Sequence, residues 1–159
     1  MASQIIVFGD SITYGAWDKE GGWVARLRKF LDEKTLTEED FYCLVYNLGI
    51  SGDTSDDLLE RFAFETQQRI KEKEDTIIIF AIGGNDSTFN NKDSQCQVAQ
   101  KETKENIKKL IKLARKHASK ILFVGLLPAD ELKTTSIPWA PDKSYKNKHI
   151  IQYDKFIKS

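Results

Sequence analysis

The run Ile5-Ile6-Val7-Phe8 leads directly into Gly9-Asp10-Ser11. A serine delivered at the end of a buried strand is held by a rigid element yet open to a cleft, which suits a nucleophile. Attack of such a hydroxyl on an ester carbonyl needs a base for its proton and donors aimed at the oxyanion that develops. Two further clusters of small polar residues offer donors: Gly49-Ile50-Ser51-Gly52-Asp53-Thr54-Ser55 and Gly83-Gly84-Asn85-Asp86-Ser87. The backbone amide of Ser11, the amide of Gly52 and the side-chain amide of Asn85 are the candidates. Glycine at 52 would leave the approach of an acyl group unobstructed. Asparagine at 85 is a neutral donor that stabilises negative charge without changing protonation state. Each cluster also has a plain alternative, as a turn or a helix cap.

Position decides between these readings. The first strand is followed by Trp23, Val24, Leu27, Phe30 and Leu31 at helical spacing, a helix of about three turns, and then a charged connector over 33–40. A second strand is expected over Phe41–Leu48. Thr54 or Ser55 then caps a helix that buries Leu58, Leu59, Phe62 and Ile70. The third strand, Thr76–Ile82, is apolar throughout and is expected to be covered on both faces. After a polar loop, Thr88–Ser94, comes a long helix with the stripe Ile107, Leu110, Ile111, Ala114 and Ala118. A fourth strand, Lys120–Leu127, stops at Pro128. Residues 129–143 read as an irregular loop, and a final helix uses Ile150, Ile151, Tyr153, Phe156 and Ile157. Strands alternating with helices build βαβ units and a parallel sheet, which binds ligands at the carboxyl ends of its strands. Ser11, Gly52 and Asn85 follow strands one, two and three, so all three converge on one edge of one sheet.

The 159 residues suit one domain. The 24 basic and 24 acidic residues cancel without long single-sign runs, which argues against nucleic acid and against a polybasic membrane surface. No apolar run approaches the ~18 residues of a membrane span. The N-terminus shows no charged segment followed by an apolar one, so no removable signal is evident. The two cysteines, Cys43 and Cys96, have neither metal-ligand spacing nor a disulfide framework, and the expected location is cytoplasmic.

The three blocks, Gly9-Asp10-Ser11, Gly49-Ile50-Ser51-Gly52-Asp53-Thr54 and Gly83-Gly84-Asn85-Asp86, resemble in order and spacing the first three blocks of the GDSL, or SGNH, hydrolases, and the similarity spans about 130 residues. The resemblance implies a flavodoxin-like three-layer α/β/α fold and hydrolysis of small-molecule esters or thioesters through an acyl-serine intermediate. It implies Ser11 as nucleophile and the Ser11 amide, Gly52 and Asn85 as oxyanion donors. It implies no metal and no organic cofactor. An α/β-hydrolase is disfavoured because no Gly-x-Ser-x-Gly elbow surrounds Ser11.

The family takes its base from a late Asp-x-x-His block, and none is present. His117 closes the long helix, where a histidine suits the dipole. His149 has no aspartate three residues before it, and Asp142-Lys143-Ser144-Tyr145 offers a phenol of high pKa in place of an imidazole. The sequence is therefore expected to lack the family's last strand, its Asp-x-x-His loop and its closing helix, as a single domain truncated at its C-terminus. The fourth strand then becomes an open edge, which predicts pairing with a second copy or reduced stability. Two other readings compete: a non-catalytic acyl- or carboxylate-binding module on the same fold, and a phosphate-binding receiver-like domain. The latter lacks a glycine-rich cradle and an acidic cluster after strand one. Acyl and alcohol specificity are left open.

Overall fold

Four parallel strands form the main sheet in the computed structural model of the chain, which describes residues 2–71 and 74–158. In chain order they are β1 (Ala2–Gly9), β2 (Tyr42–Gly49), β3 (Asp75–Ala81) and a strand at Lys120–Phe123, and their spatial order places β1 between β2 and β3. Two-residue strands β4 (Phe89–Asn90) and β5 (Gln95–Cys96) precede this last strand, which is therefore β6. The helices are α1 (Ser11–Tyr14), α2 (Gly22–Thr37), α3 (Ser55–Gln67) and α4 (Gln100–Ala114). Beyond β6 come α5 (Glu131–Thr134), β7 (Thr135–Ile137), β8 (Ala140–Ser144) and α6 (Asn147–Ile157).

The sheet is covered on both faces, and its alternation shows how. Ile6 and Phe8 of β1 and Ile78 and Phe80 of β3 turn toward α3 and α4, where they pack with Leu58, Phe62, Leu110 and Ala114. Val7, Val45 and Ile79 turn the other way and pack with Val24 of α2. A fully apolar strand fits because each face meets helices. The architecture is three-layer α/β/α, as expected.

Some boundaries differ from the sequence reading. The charged connector continues α2 to Thr37, since its Lys, Glu and Leu residues favour helix and Lys34 pairs with Glu38. The fourth strand is regular only to Phe123. Beyond it the Leu126 amide is taken by the Asp154 carboxylate of α6 at 2.9 Å, so a helix rather than a neighbouring strand receives the chain there.

The irregular loop expected over 129–143 is structured. It contributes α5, β7 and β8 to a second, antiparallel sheet of order β5-β4-β8-β7. The polar loop expected over Thr88–Ser94 supplies β4, and β5 follows directly after it. Among the described residues β6 pairs with β3 alone, and Leu122, Val124 and Leu127 are exposed along and beyond it. The open edge expected of the fourth strand is present. The cover of α6 is partial: Ile150 and Tyr153 are buried, and Ile151 is exposed.

Candidate active site

Asp10 is the N-cap of α1, its Oδ1 accepting the Ile12 amide at 3.0 Å. Ser11 is therefore the first residue of a helix that starts where β1 ends. The Ser11 N–H lies among the donors a helix leaves unpaired. Asn47 of β2 holds this turn from the side, donating Nδ2 to the Thr13 carbonyl at 2.9 Å.

Gly52 follows β2 in a turn with φ of +90°, a left-handed conformation that glycine adopts freely. A methyl group added there would meet nothing within 4 Å, so the protein itself imposes only the φ requirement. Thr54 then caps α3 through a capping box with Asp57. Among the described residues neither the Ser11 N–H nor the Gly52 N–H has a hydrogen-bond partner.

Asn85 follows β3 and reaches back, its Nδ2 donating to the Asp53 carbonyl at 2.8 Å. One hydrogen of that amide is used, and the other has no partner among the described residues. The next residue, Asp86, is fully buried. Its carboxylate accepts the Ser55 amide at 3.0 Å and the Thr103 hydroxyl at 2.8 Å, which joins the loop after β3 to the starts of α3 and α4.

Arg61 of α3 completes the frame. Its Nε donates to Asp53 Oδ2 at 2.7 Å, and its Nη2 donates to the Leu48 carbonyl at 2.9 Å and the Gly9 carbonyl at 3.3 Å. One guanidinium thus clamps the ends of β1 and β2 and the loop that carries Gly52.

The electrostatics are those of buried acids. Burial pushes the Asp10 carboxyl up to about 6 against the pull of its backbone hydrogen bond, with Asp86 and Asp53 adding like charge. Burial raises Asp86 as well, against its hydrogen bonds to Ser55 and Thr103. Among the described residues, no three His, Cys, Asp or Glu side chains come together in a way that could hold a metal ion.

A cavity of about 590 Å³ opens beside these turns, with Ser11 and Asn85 in its wall. Gly52 is not in that wall. It joins the site through the Asp53 carbonyl that Asn85 holds. Much of the rest of the wall is apolar, with Val124, Leu126, Leu127, Pro128 and Ile150. Four further wall residues, Trp17, Trp23, Trp139 and Tyr145, were not among the catalytic candidates in sequence. Tyr145 stands where the sequence offered a phenol in place of histidine, and burial raises its pKa further, out of range of a base at neutral pH.

Neither histidine reaches Ser11. His117 lies in the turn between α4 and β6, at the amino end of the sheet and a strand's length from the site. His149 stacks on Phe89, with ring centroids 5.0 Å apart and planes 6° from parallel. Its pKa is held down by burial there and by the charge of Lys148. Among the described residues the Ser11 hydroxyl has no hydrogen-bond partner.

The sequence model of the GDSL-like lipase/acylhydrolase family matches residues 7–159. The chain belongs to that family. Among relatives in the GDSL-like family, Esterase TesA of Pseudomonas aeruginosa is 30% identical over 126 residues, which cover 79% of this chain and 55% of that protein. This chain thus spans little more than half the length of that relative. The crystal structure of TesA superposes with a TM-score of 0.66 at 26% identity, covering 97% of this chain and 70% of the other. Two structures with lower identity share the fold. One is AlinE4, an esterase of the SGNH-hydrolase family, with a TM-score of 0.62 at 21% identity over 100% of this chain and 68% of its own. The other is Axe2, an acetylxylan esterase from Geobacillus stearothermophilus, with a TM-score of 0.66 at 19% identity over 99% and 72%.

Proposed function

We propose that this chain carries the acyl-transfer half of a serine ester hydrolase. The observation that carries the reading is the placement of Ser11 and Asn85 in one cavity wall, with Asn85 tied to the turn that holds Gly52. Ser11 Oγ attacks the ester carbonyl, and its proton passes through water or an added base such as imidazole to the departing alcohol oxygen. The developing oxyanion takes hydrogen bonds from the Ser11 N–H and the free Asn85 N–H, with the Gly52 N–H on the adjoining turn as the third donor that the family resemblance implies. As the carbonyl re-forms, the alcohol leaves an acyl-serine that water then cleaves. Small-molecule esters or thioesters are the substrate class.

A second reading is favoured by one observation: among the described residues no side chain hydrogen-bonds the Ser11 hydroxyl. On that reading the chain binds acyl or carboxylate groups without turnover. The two are separated by mixing the protein with p-nitrophenyl butyrate, with and without added imidazole as an external base. Hydrolysis that rises with imidazole and vanishes in Ser11→Ala supports the hydrolase. Saturable binding of ester and product alike, with no release above the Ser11→Ala background, supports the binding module.

The free thiols of Cys43 and Cys96 support a reducing, cytoplasmic location. The open edge of β6 supports pairing with a second copy.

A further inference from the structure

Trp17 and Trp139 come from opposite parts of the chain and meet at the cavity, ring centroids 5.9 Å apart at 59°. Both are wall residues, yet they are 87% and 68% exposed, so neither is packed as core. Each is carried on a pinned turn. The loop with Trp17 is fixed by the Asp18–Arg26 ion pair at 3.0 Å and by the Glu20 amide on Asp18 at 2.8 Å. Trp139 sits at the tip of the β7–β8 hairpin, beside the Ile137–Ala140 pair.

The backbone at Trp17 adds a second, independent sign. Its φ is +61°, a left-handed conformation that bulky residues rarely adopt and that persists where surroundings enforce it. Two rigid turns thus hold exposed indoles at one opening, in a geometry that folding alone does not reward.

The wall that these indoles share with Ser11 says what they would meet. It is carbon-lined along Val124, Leu126, Leu127 and Pro128, and the whole wall holds no Lys, Arg or His and a single carboxylate, Asp10. A phosphate or a carboxylate would find no cation there. A sugar ring would find few polar partners for its hydroxyls. A volume of about 590 Å³ far exceeds what an acetyl group fills.

We propose that Trp17 and Trp139 determine acyl specificity, receiving the distal end of an extended apolar acyl chain whose carbonyl lies at Ser11. This rests on the ester-hydrolase reading of the same cavity and adds its substrate class.

The test uses methyl ketones as unreactive ester mimics, titrated by calorimetry into the 159-residue chain. 2-Decanone is expected to bind at least about tenfold more tightly than 2-butanone, because its added methylenes enter the apolar wall. Trp17→Ala with Trp139→Ala is expected to reduce that difference about tenfold. Phe64→Ala, which removes an exposed aromatic on α3 outside the cavity, is expected to leave it unchanged. Trp17→Gly serves where folding is in question: glycine suits the left-handed φ, so its melting temperature should equal or exceed that of the parent while chain-length preference falls. Equal affinity for the two ketones, no effect of the paired substitution, or preference for a xylo-oligosaccharide over 2-decanone would overturn the proposal. So would a lowered melting temperature in Trp17→Gly, which would mark Trp17 as structural. Labelling of Ser11 by a fluorophosphonate on the same samples separates the two claims. Chain-length preference without labelling sinks the hydrolase reading alone, and labelling without preference sinks the acyl-chain inference alone.

Discussion

The side-chain amide of Asn85 donates to the backbone carbonyl of Asp53 at 2.8 Å, joining the loop after β3 to the loop after β2. Through this bond one amide both fixes the turn that carries Gly52 and keeps an N–H for the cavity. Asn85→Ala removes both effects. It is expected to lower the rate of ester cleavage about a hundredfold, the ~3 kcal/mol typical of a lost oxyanion donor. Kinetics with p-nitrophenyl butyrate check this, and an unchanged rate would remove Asn85 from the site.

Arg61 is the buried counter-charge of Asp53, and both side chains are largely out of water. Arg61→Ala leaves that carboxylate uncompensated and frees the carbonyls of Gly9 and Leu48. The expected loss is about 3 kcal/mol in urea unfolding. Removing both charges, as in Arg61→Met with Asp53→Leu, should recover part of it. A double variant no more stable than Arg61→Ala would argue against the pair as the cause.

Asp10 gives the fold a pH dependence of definite sign. Its folded pKa, about 6, lies above its ordinary value of 3.8, so the native state holds the proton longer than the unfolded chain. The Asp10 contribution is therefore fully favourable below 3.8, declines as pH rises from 3.8 to 6, and is gone above, a change of about 3 kcal/mol. Asp86, also raised, acts in the same sense. Asp10→Asn keeps an acceptor for the Ile12 amide and abolishes the charge. It should be more stable than the parent at pH 7.5 and nearly equal to it at pH 4. Urea midpoints at the two values decide, and a gain confined to pH 4 would reverse the sign.

Two glycines in the second block answer to different constraints. A Cβ at Gly49 would overlap the Tyr14 amide and press on the Asp10 carbonyl, both backbone atoms that cannot yield. A Cβ at Gly52 meets nothing and suffers only from its φ. Gly52→Ala is expected to cost about 1 kcal/mol. Gly49→Ala should cost several times more, of the order of the larger core effects. Thermal unfolding of the two variants ranks them, and the opposite order would mean that the Asp10–Tyr14 turn gives way easily.

The main sheet was legible in sequence because its strands are apolar runs ended by small polar turns, and the run over β3 correctly signalled burial on both faces. A cap at Thr54 or Ser55 was legible because Ser and Thr before a helical stripe act locally, and the structure places it at Thr54. The second sheet was not. Its strands are two to five residues long, and Phe89 pairs with Ser144 across more than fifty residues, a contact that no local pattern encodes. For the same reason Tyr145 could be placed in the cavity only by the fold. The convergence of Ser11 and Asn85 was readable from topology. That Gly52 would join through Asp53 rather than line the cavity was not, since it depends on one side-chain amide turning back toward β2.

Ser11 as the nucleophile is tested most directly by intact mass and peptide mapping after exposure of the 159-residue chain to a fluorophosphonate. The expected result is one adduct, on the peptide containing Ser11, absent in Ser11→Ala and formed faster when imidazole is added, since among the described residues no side chain hydrogen-bonds that hydroxyl. An adduct on another residue, or none with imidazole present, would contradict Ser11 as the reacting group.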